Sequence, residues 1–372
     1  MNITDIDDKT IRESIKEQKS LTDFTNVYTE AFFKDIESLN IIPAHHYPRA
    51  TNYIDKMIGI IKELESKGYT YTADDGTVFF KISSFPEYGK LSNINPEEMK
   101  VGERVDQDEY DKEEARDFAL WKGYKNEDGD VFWDSPWGKG RPGWHIECSA
   151  MSLMHFGEQF DIHGGGHDLR FPHHEAEIFQ GECHTGKSPV VNYWLHNGFV
   201  NMDGEKMSKS LGNFWTIRDI VSKVDSLVLR FALINAQYRS PIDMNEQLLK
   251  DAGVNHKRLL DSYQFALKSW GGVDENELRR LPDPDLNSSE DLAKSLGLIE
   301  KSAEEFALAM DDDFNTRQAI AKTMAIVREA NKLLNLDLDD KDLNSVGFYL
   351  VELFEQQAGM VLGLLPTREQ VI

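Results

Sequence analysis

The chain is poor in cysteine, in positive charge and in long apolar runs, and each shortage removes a class of protein. Two cysteines, Cys148 and Cys183, among 372 residues cannot build a disulfide framework. A reducing compartment, the cytoplasm, is therefore expected, with metal binding or packing as the roles open to either thiol. No apolar run approaches bilayer length, so no transmembrane helix and no membrane partner is expected. The polar, acidic opening is no signal peptide on the given start. Lys and Arg number 41 against 65 Asp and Glu, a formal net charge of −24. That excludes a generally basic surface coating nucleic acid, but not an RNA held by local basic patches and by shape. No internal repeat is evident.

What is present fits a globular protein of two or three domains: 40% hydrophobic residues, with 20 Phe, 12 Tyr and 7 Trp. The recurrence of Ile11, Ile15, Phe24, Tyr28 and Phe32 predicts a helix over 10–39, and Ile54, Met57, Ile58, Ile61 and Leu64 a second over 53–67. Tyr69–Thr72 and Val78–Ile82 bracket Asp74-Asp75-Gly76 as a hairpin. The acidic stretch 106–117 reads as a solvated insertion surface. From Gly140 onward, short apolar segments alternate with glycine-rich turns, and Gln159–His163 and Val190–Leu195 read as buried strands leading to polar loops. Ligands gather at such strand ends in open α/β sheets. Beyond Thr216, four amphipathic helices are expected, around Leu259–Trp270, Leu292–Phe306, Ile320–Leu334 and Val346–Leu365, with a loop at 271–289. The fold class is α/β followed by a helical bundle.

Three sets of residues carry chemistry. Lys206-Met207-Ser208-Lys209-Ser210, followed by Gly212, places two compact cations three apart on a loop. Such a pair suits a polyphosphate whose charge grows on a leaving pyrophosphate, although Lys-x-x-Lys is ordinarily solvated charge. His173 and Glu177 share a face of a helix starting after Pro172, while His174 and Glu175 are expected to point elsewhere. With Cys148 they make a workable zinc set. Gly164-Gly165-Gly166 lets a ligand approach the backbone, and Asp168 can accept from ribose hydroxyls. His163 could line that pocket or be structural, and His196 carries the same ambiguity.

Taken in order, Asn2-Ile3-Thr4-Asp5-Ile6-Asp7-Asp8-Lys9, Gly140–Met151, Phe160–Leu169, Phe171–Ile178, Trp194–Phe214 and Met310–Thr316 resemble a class I aminoacyl-tRNA synthetase of the cysteinyl family, over nearly the whole chain. The resemblance implies a Rossmann-like catalytic domain over 1–215, incomplete at its N-terminus and with a connective insertion at about 50–138. A helical stem-contact and tRNA-side domain over 216–372 would follow. It implies ATP-dependent ligation of L-cysteine to tRNA(Cys) through a cysteinyl-adenylate, with ATP accompanied by Mg2+. Cys148, His173 and Glu177 would bind one Zn2+ per chain, Trp144 and Thr4 would contact the amino acid, and Lys206 and Lys209 would stabilise the pyrophosphate. A zinc ion prefers the soft thiolate of cysteine to the hydroxyl of serine, which a hydrophobic pocket separates poorly.

The family's HIGH motif and a further zinc cysteine are expected upstream of residue 2. No His-x-Gly-His occurs, and Cys183 matches no zinc position. On that reading either the start lies further upstream or a separate chain supplies the half-site, and this chain alone is expected to lack full synthetase activity. A cysteine ligase acting on an amino-sugar, or a non-catalytic tRNA-binding fragment, are the rival readings.

Overall fold

The computed structural model describes residues 1–94, 117–202, 204–207, 214–278 and 290–371, which form two compact units: residues 1–33 with 43–197, and residues 34–42 with 198–372.

The first unit opens with α1 (Asp8–Lys16) and the part of α2 (Leu21–Ser38) up to residue 33, where a single helix over 10–39 was expected. The chain breaks between them because Gln18 adopts a left-handed φ of 55°, and Ser20 then restarts the helix, its hydroxyl accepting from Asp23 N at 3.0 Å. α1 has a reciprocal cap of its own: Thr10 N donates to Asp7 at 2.5 Å, and Asp7 N to the Thr10 hydroxyl at 2.8 Å. α3 (Ile54–Ser66) buries Ile54, Met57, Ile60, Ile61 and Leu64, the spacing of one helical face. The hairpin β1 (Thr70–Thr72) and β2 (Val78–Phe80) forms about Gly76, whose φ is 84°. It continues through β3 (Phe118–Gly123), with β4 (Trp133–Ser135) and β5 (Gly138–Pro142) completing an antiparallel sheet of order β1-β2-β3-β5-β4.

β5 runs directly into α4 (Trp144–Phe156) through Gly143, where a Cβ would lie 1.8 Å from the Ala119 carbonyl oxygen. No other residue fits there. β6 (Phe160–Gly166), α5 (His173–Thr185) and β7 (Val191–Asn197) follow, the two strands pairing in parallel. They were expected to be buried, yet Ile162 and Tyr193 are exposed. The core lies instead among α3, α4, α5 and the antiparallel sheet, around Trp121, Phe80, Phe179 and Ile146.

In the second unit β8 (Val200–Met202) lies between β9 (Glu205–Lys206) and a parallel β10 (Ile242–Met244). Between the last two run α6 (Ile217–Val221) and α7 (Ser226–Ile234). Arg230 on α7 ties in residues 34–42 by donating to the carbonyls of Leu39 at 2.8 Å and Leu362 at 2.6 Å. The bundle is α8 (Glu246–Trp270), α9 (Glu290–Asp311), α10 (Thr316–Leu333) and α11 (Asp340–Phe354), ending in α12 (Arg368–Val371). The helix expected over 346–365 starts earlier, under the Asp339 cap, and widens into a π-helical turn over Glu355–Val361. The acidic stretch 106–117 lies outside the described residues apart from Asp117, which accepts from Ile82 N at 2.9 Å. Of the loop expected at 271–289, residues 279–289 also lie outside them.

Candidate metal centre

α4 and α5 pack against one another, and the first turns of both face the same buried point. Cys148, His173 and Glu177 each offer one ligand atom there, all within 4.8 Å of one another, and all three residues are buried. His173 Nε2 lies 3.1 Å from Glu177 Oε1, yet that oxygen has no hydrogen-bond partner among the described residues. A buried carboxylate oxygen set between a thiol and an imidazole is a donor suited to a cation. The residues therefore fit zinc in donor type and in enclosure, as three of its ligands.

Electrostatics agree. Burial opposes ionisation of Glu177, but the facing imidazoles of His163 and His173 outweigh it and bring the carboxyl down to about 2. Burial pushes the Cys148 thiol well above its usual range, and the carboxylates of Glu177 and Glu147 add to this. A thiol so placed becomes a thiolate once a dication joins it. His145, held neutral by burial and by its neighbour His173, meets His173 Nδ1 through its own Nδ1 at 2.9 Å, which leaves Nε2 of His173 for the centre. Trp144 covers the other side, its ring 4.4 Å from that of His173.

The remaining candidates are placed as follows. His174, expected to point away, turns toward Glu177 with Nε2 3.9 Å from Oε1, because the other flank of α5 faces β6. His163 faces Glu177 as well, at 3.5 Å. Gly164 and Gly165 belong to β6 itself, paired with Leu195 and His196, and are not a loop. Asp168 is exposed in the short turn His167–Arg170, its carboxylate folded over Gly166, where a Cβ would meet Oδ1 at 2.4 Å. Thr4 is exposed, one residue past the Ile3–Arg49 bridge. Lys206 ends β9, and Lys209 lies outside the described residues. Cys183 is buried near the far end of α5, and its thiol is pushed up to about 11 by burial.

Residue spacing did not single out His145, Trp194 or Glu147. The ring of Trp194 lies 4.7 Å from that of His163 and 4.9 Å from that of His174. Glu147 is buried with Oε2 unpartnered among the described residues. Burial, then the charges of Asp7 and Asp5, raise its carboxyl well above the usual value. A cleft of about 220 Å³, lined by Ser149, Phe160, His163, Glu177 and Trp194 among others, opens beside this cluster.

The parallel strands β6 and β7 joined by α5 form a strand–helix–strand unit of the kind that builds Rossmann-like sheets, with the buried donors on α4 and α5 beside it. Methionyl-tRNA synthetase of Mycobacterium tuberculosis, bound by methionyl-adenylate, superposes with a TM-score of 0.63 over 95% of this chain and 83% of that one, at 14% identity. The family model described as the catalytic domain of class I (C) tRNA synthetases matches residues 1–254, and a DALR domain matches residues 305–366. A cysteine–tRNA ligase of Brachyspira hyodysenteriae is 50% identical over 281 residues, 75% of this chain and 59% of the relative. One of Staphylococcus carnosus is 49% identical over 263 residues, 71% of this chain and 55% of the relative. The chain belongs to the cysteinyl-tRNA synthetase family, and it spans a little over half the length of these relatives.

Proposed function

We propose that the protein takes part in ATP-dependent ligation of L-cysteine to tRNA(Cys) through a cysteinyl-adenylate, in the cytoplasm. The observation that carries this reading is the convergence of a buried thiol, imidazole and carboxylate at Cys148, His173 and Glu177. These three would hold a zinc ion, which when bound favours a thiolate ligand over a hydroxyl and so separates cysteine from serine. His145 orients His173, and Trp144 walls the amino-acid side. Thr4 is assigned to the same pocket. The strand end at Gly164 and Gly165, with Asp168, would take the ribose of ATP, whose phosphates carry Mg2+. Lys206 and Lys209 would neutralise the departing pyrophosphate. Residues 1–215, with an insertion at about 50–138, would act on cysteine and ATP, and residues 216–372 would meet the tRNA.

The test is selectivity for sulfur. A non-hydrolysable cysteinyl-adenylate analogue is expected to bind the chain more than about 100-fold tighter than its seryl counterpart, beyond what a plain apolar pocket achieves. Chelation of the metal, or Cys148→Ser, should abolish the difference. Equal binding of the two analogues by untreated protein would refute the reading. Charging of tRNA(Cys), set against coupling of cysteine to an amino-sugar, separates the synthetase from its rival.

A further inference from the structure

More imidazole surrounds Glu177 than one metal centre uses. Beside the first group lies a second, His163, His174 and Glu177, whose ligand atoms again fall within 4.8 Å of one another. The carboxylate serves both groups. Its Oε1 faces His173 at 3.1 Å and His174 at 3.9 Å, while Oε2 faces His163 at 3.5 Å. The second group repeats the construction of the first. His174 Nδ1 meets Nε2 of His196 at 2.8 Å, as His173 Nδ1 meets His145, so each of these two rings has Nδ1 engaged by another imidazole and Nε2 turned toward Glu177. Such outer partners are what orient metal-bound histidines.

The backbone makes room for this arrangement. A Cβ on Gly165 would lie 2.7 Å from Cε1 and 3.0 Å from Nε2 of His174, so any side chain there would displace the ligand nitrogen. The two groups differ in access. Cys148, His173 and Glu177 are all buried, whereas 12% of the His163 side-chain surface is exposed, and His163 lines the cleft of about 220 Å³ together with Glu177. Two imidazoles and a carboxylate, without a thiol, suit a borderline first-row divalent cation rather than Mg2+ or Ca2+.

We propose that His163, His174 and Glu177 form a second cation position, sharing the Glu177 carboxylate with the thiol-bearing centre and receiving a first-row divalent ion from the adjoining cleft. This rests on the metal reading of the first centre but not on the ligase reaction.

Cobalt(II) is the probe, titrated into the full chain after chelation and dialysis. The unaltered protein is expected to bind two ions per chain, with a thiolate-to-metal charge-transfer band. Cys148→Ser should bind one, lacking that band but keeping d–d absorption. His163→Gln should bind one with the band retained, and far-ultraviolet circular dichroism checks that each variant is folded. One ion in the unaltered protein and none in Cys148→Ser would overturn the proposal, as would two ions retained by His163→Gln. Loss of sulfur selectivity in a protein that still binds two ions would instead sink the proposed function alone.

Discussion

Glu175 shows how one side chain organises the region behind the metal centre. It is fully buried, and its carboxylate accepts from Gly89 N at 3.0 Å, Leu91 N at 3.3 Å, and Ser92 N and Oγ at 2.9 Å each. Four donors converge on one charge, so Glu175→Gln keeps the shape but turns an amide N–H toward a backbone N–H. Charge-assisted bonds of this kind contribute about 1.5–3 kcal/mol each. The variant should lose roughly 3 kcal/mol, read as a lower urea midpoint at unchanged m-value. An unchanged midpoint would mean that the loop is held by something else. At this scale the sequence showed part of the site. His173 and Glu177 are four apart and share a helical face wherever the helix lies. His174 was missed because a helical wheel knows only its own axis, and β6 brings His163 and room at Gly165 to the other flank.

At the scale of elements, sequence periodicity located helices better than it located their ends and their covering. The break in the expected 10–39 helix is written as Ser20-x-x-Asp23, a capping signature that sits among apolar positions strong enough to mask it. The alternation of β6 and β7 looks like buried strands because their lengths and β-branched residues suit a sheet, but whether each face is covered depends on neighbours that a single segment does not encode. The end of α8 was clearer. Gly271 occupies the left-handed position after it at φ 65°, with Asn344 donating to the carbonyls of Ser269 and Trp270 at 3.0 Å each. A left-handed non-glycine residue costs about 1–2 kcal/mol, so Gly271→Ala should destabilise the helical unit by that amount. Since no side chain packs closer than 3.5 Å to the added Cβ, the loss is conformational. Gly271→Asn should therefore recover part of it, and equal losses for Ala and Asn in urea unfolding would contradict that explanation.

For the whole molecule, acid response should be confined to one unit. Of the 11 histidines, His256 alone lies in residues 198–372. In the first unit His145 is held well below 6.5 by burial and by His173, His174 is brought down to about 3 by burial, and burial lowers His184 as well. All three favour the neutral form in the fold and protonate freely when unfolded, so their stabilisation is present above pH 6.5 and is lost as pH falls toward their folded values. Glu147 acts in the opposite sense: its folded value is raised by burial and by Asp7 and Asp5, so its contribution is present at low pH and declines as pH rises. Three imidazoles that gain protons on unfolding outweigh the one carboxyl that loses its proton, so stability should fall as pH drops from 6.5 to 5. Relief of repulsion from the −24 net charge adds little here, because most carboxylates titrate below this window. In metal-free protein, hydrogen exchange corrected for intrinsic rates should show protection falling in residues 43–197 while residues 198–372 keep theirs. Glu147→Gln fixes the neutral form in both states and removes the counterweight, so it should raise stability at pH 7 and steepen the acid slope. An unchanged slope in that variant would show that Glu147 is already ionised in the fold, with its charge matched by Arg141 and Lys122, the two cations that oppose the raised value.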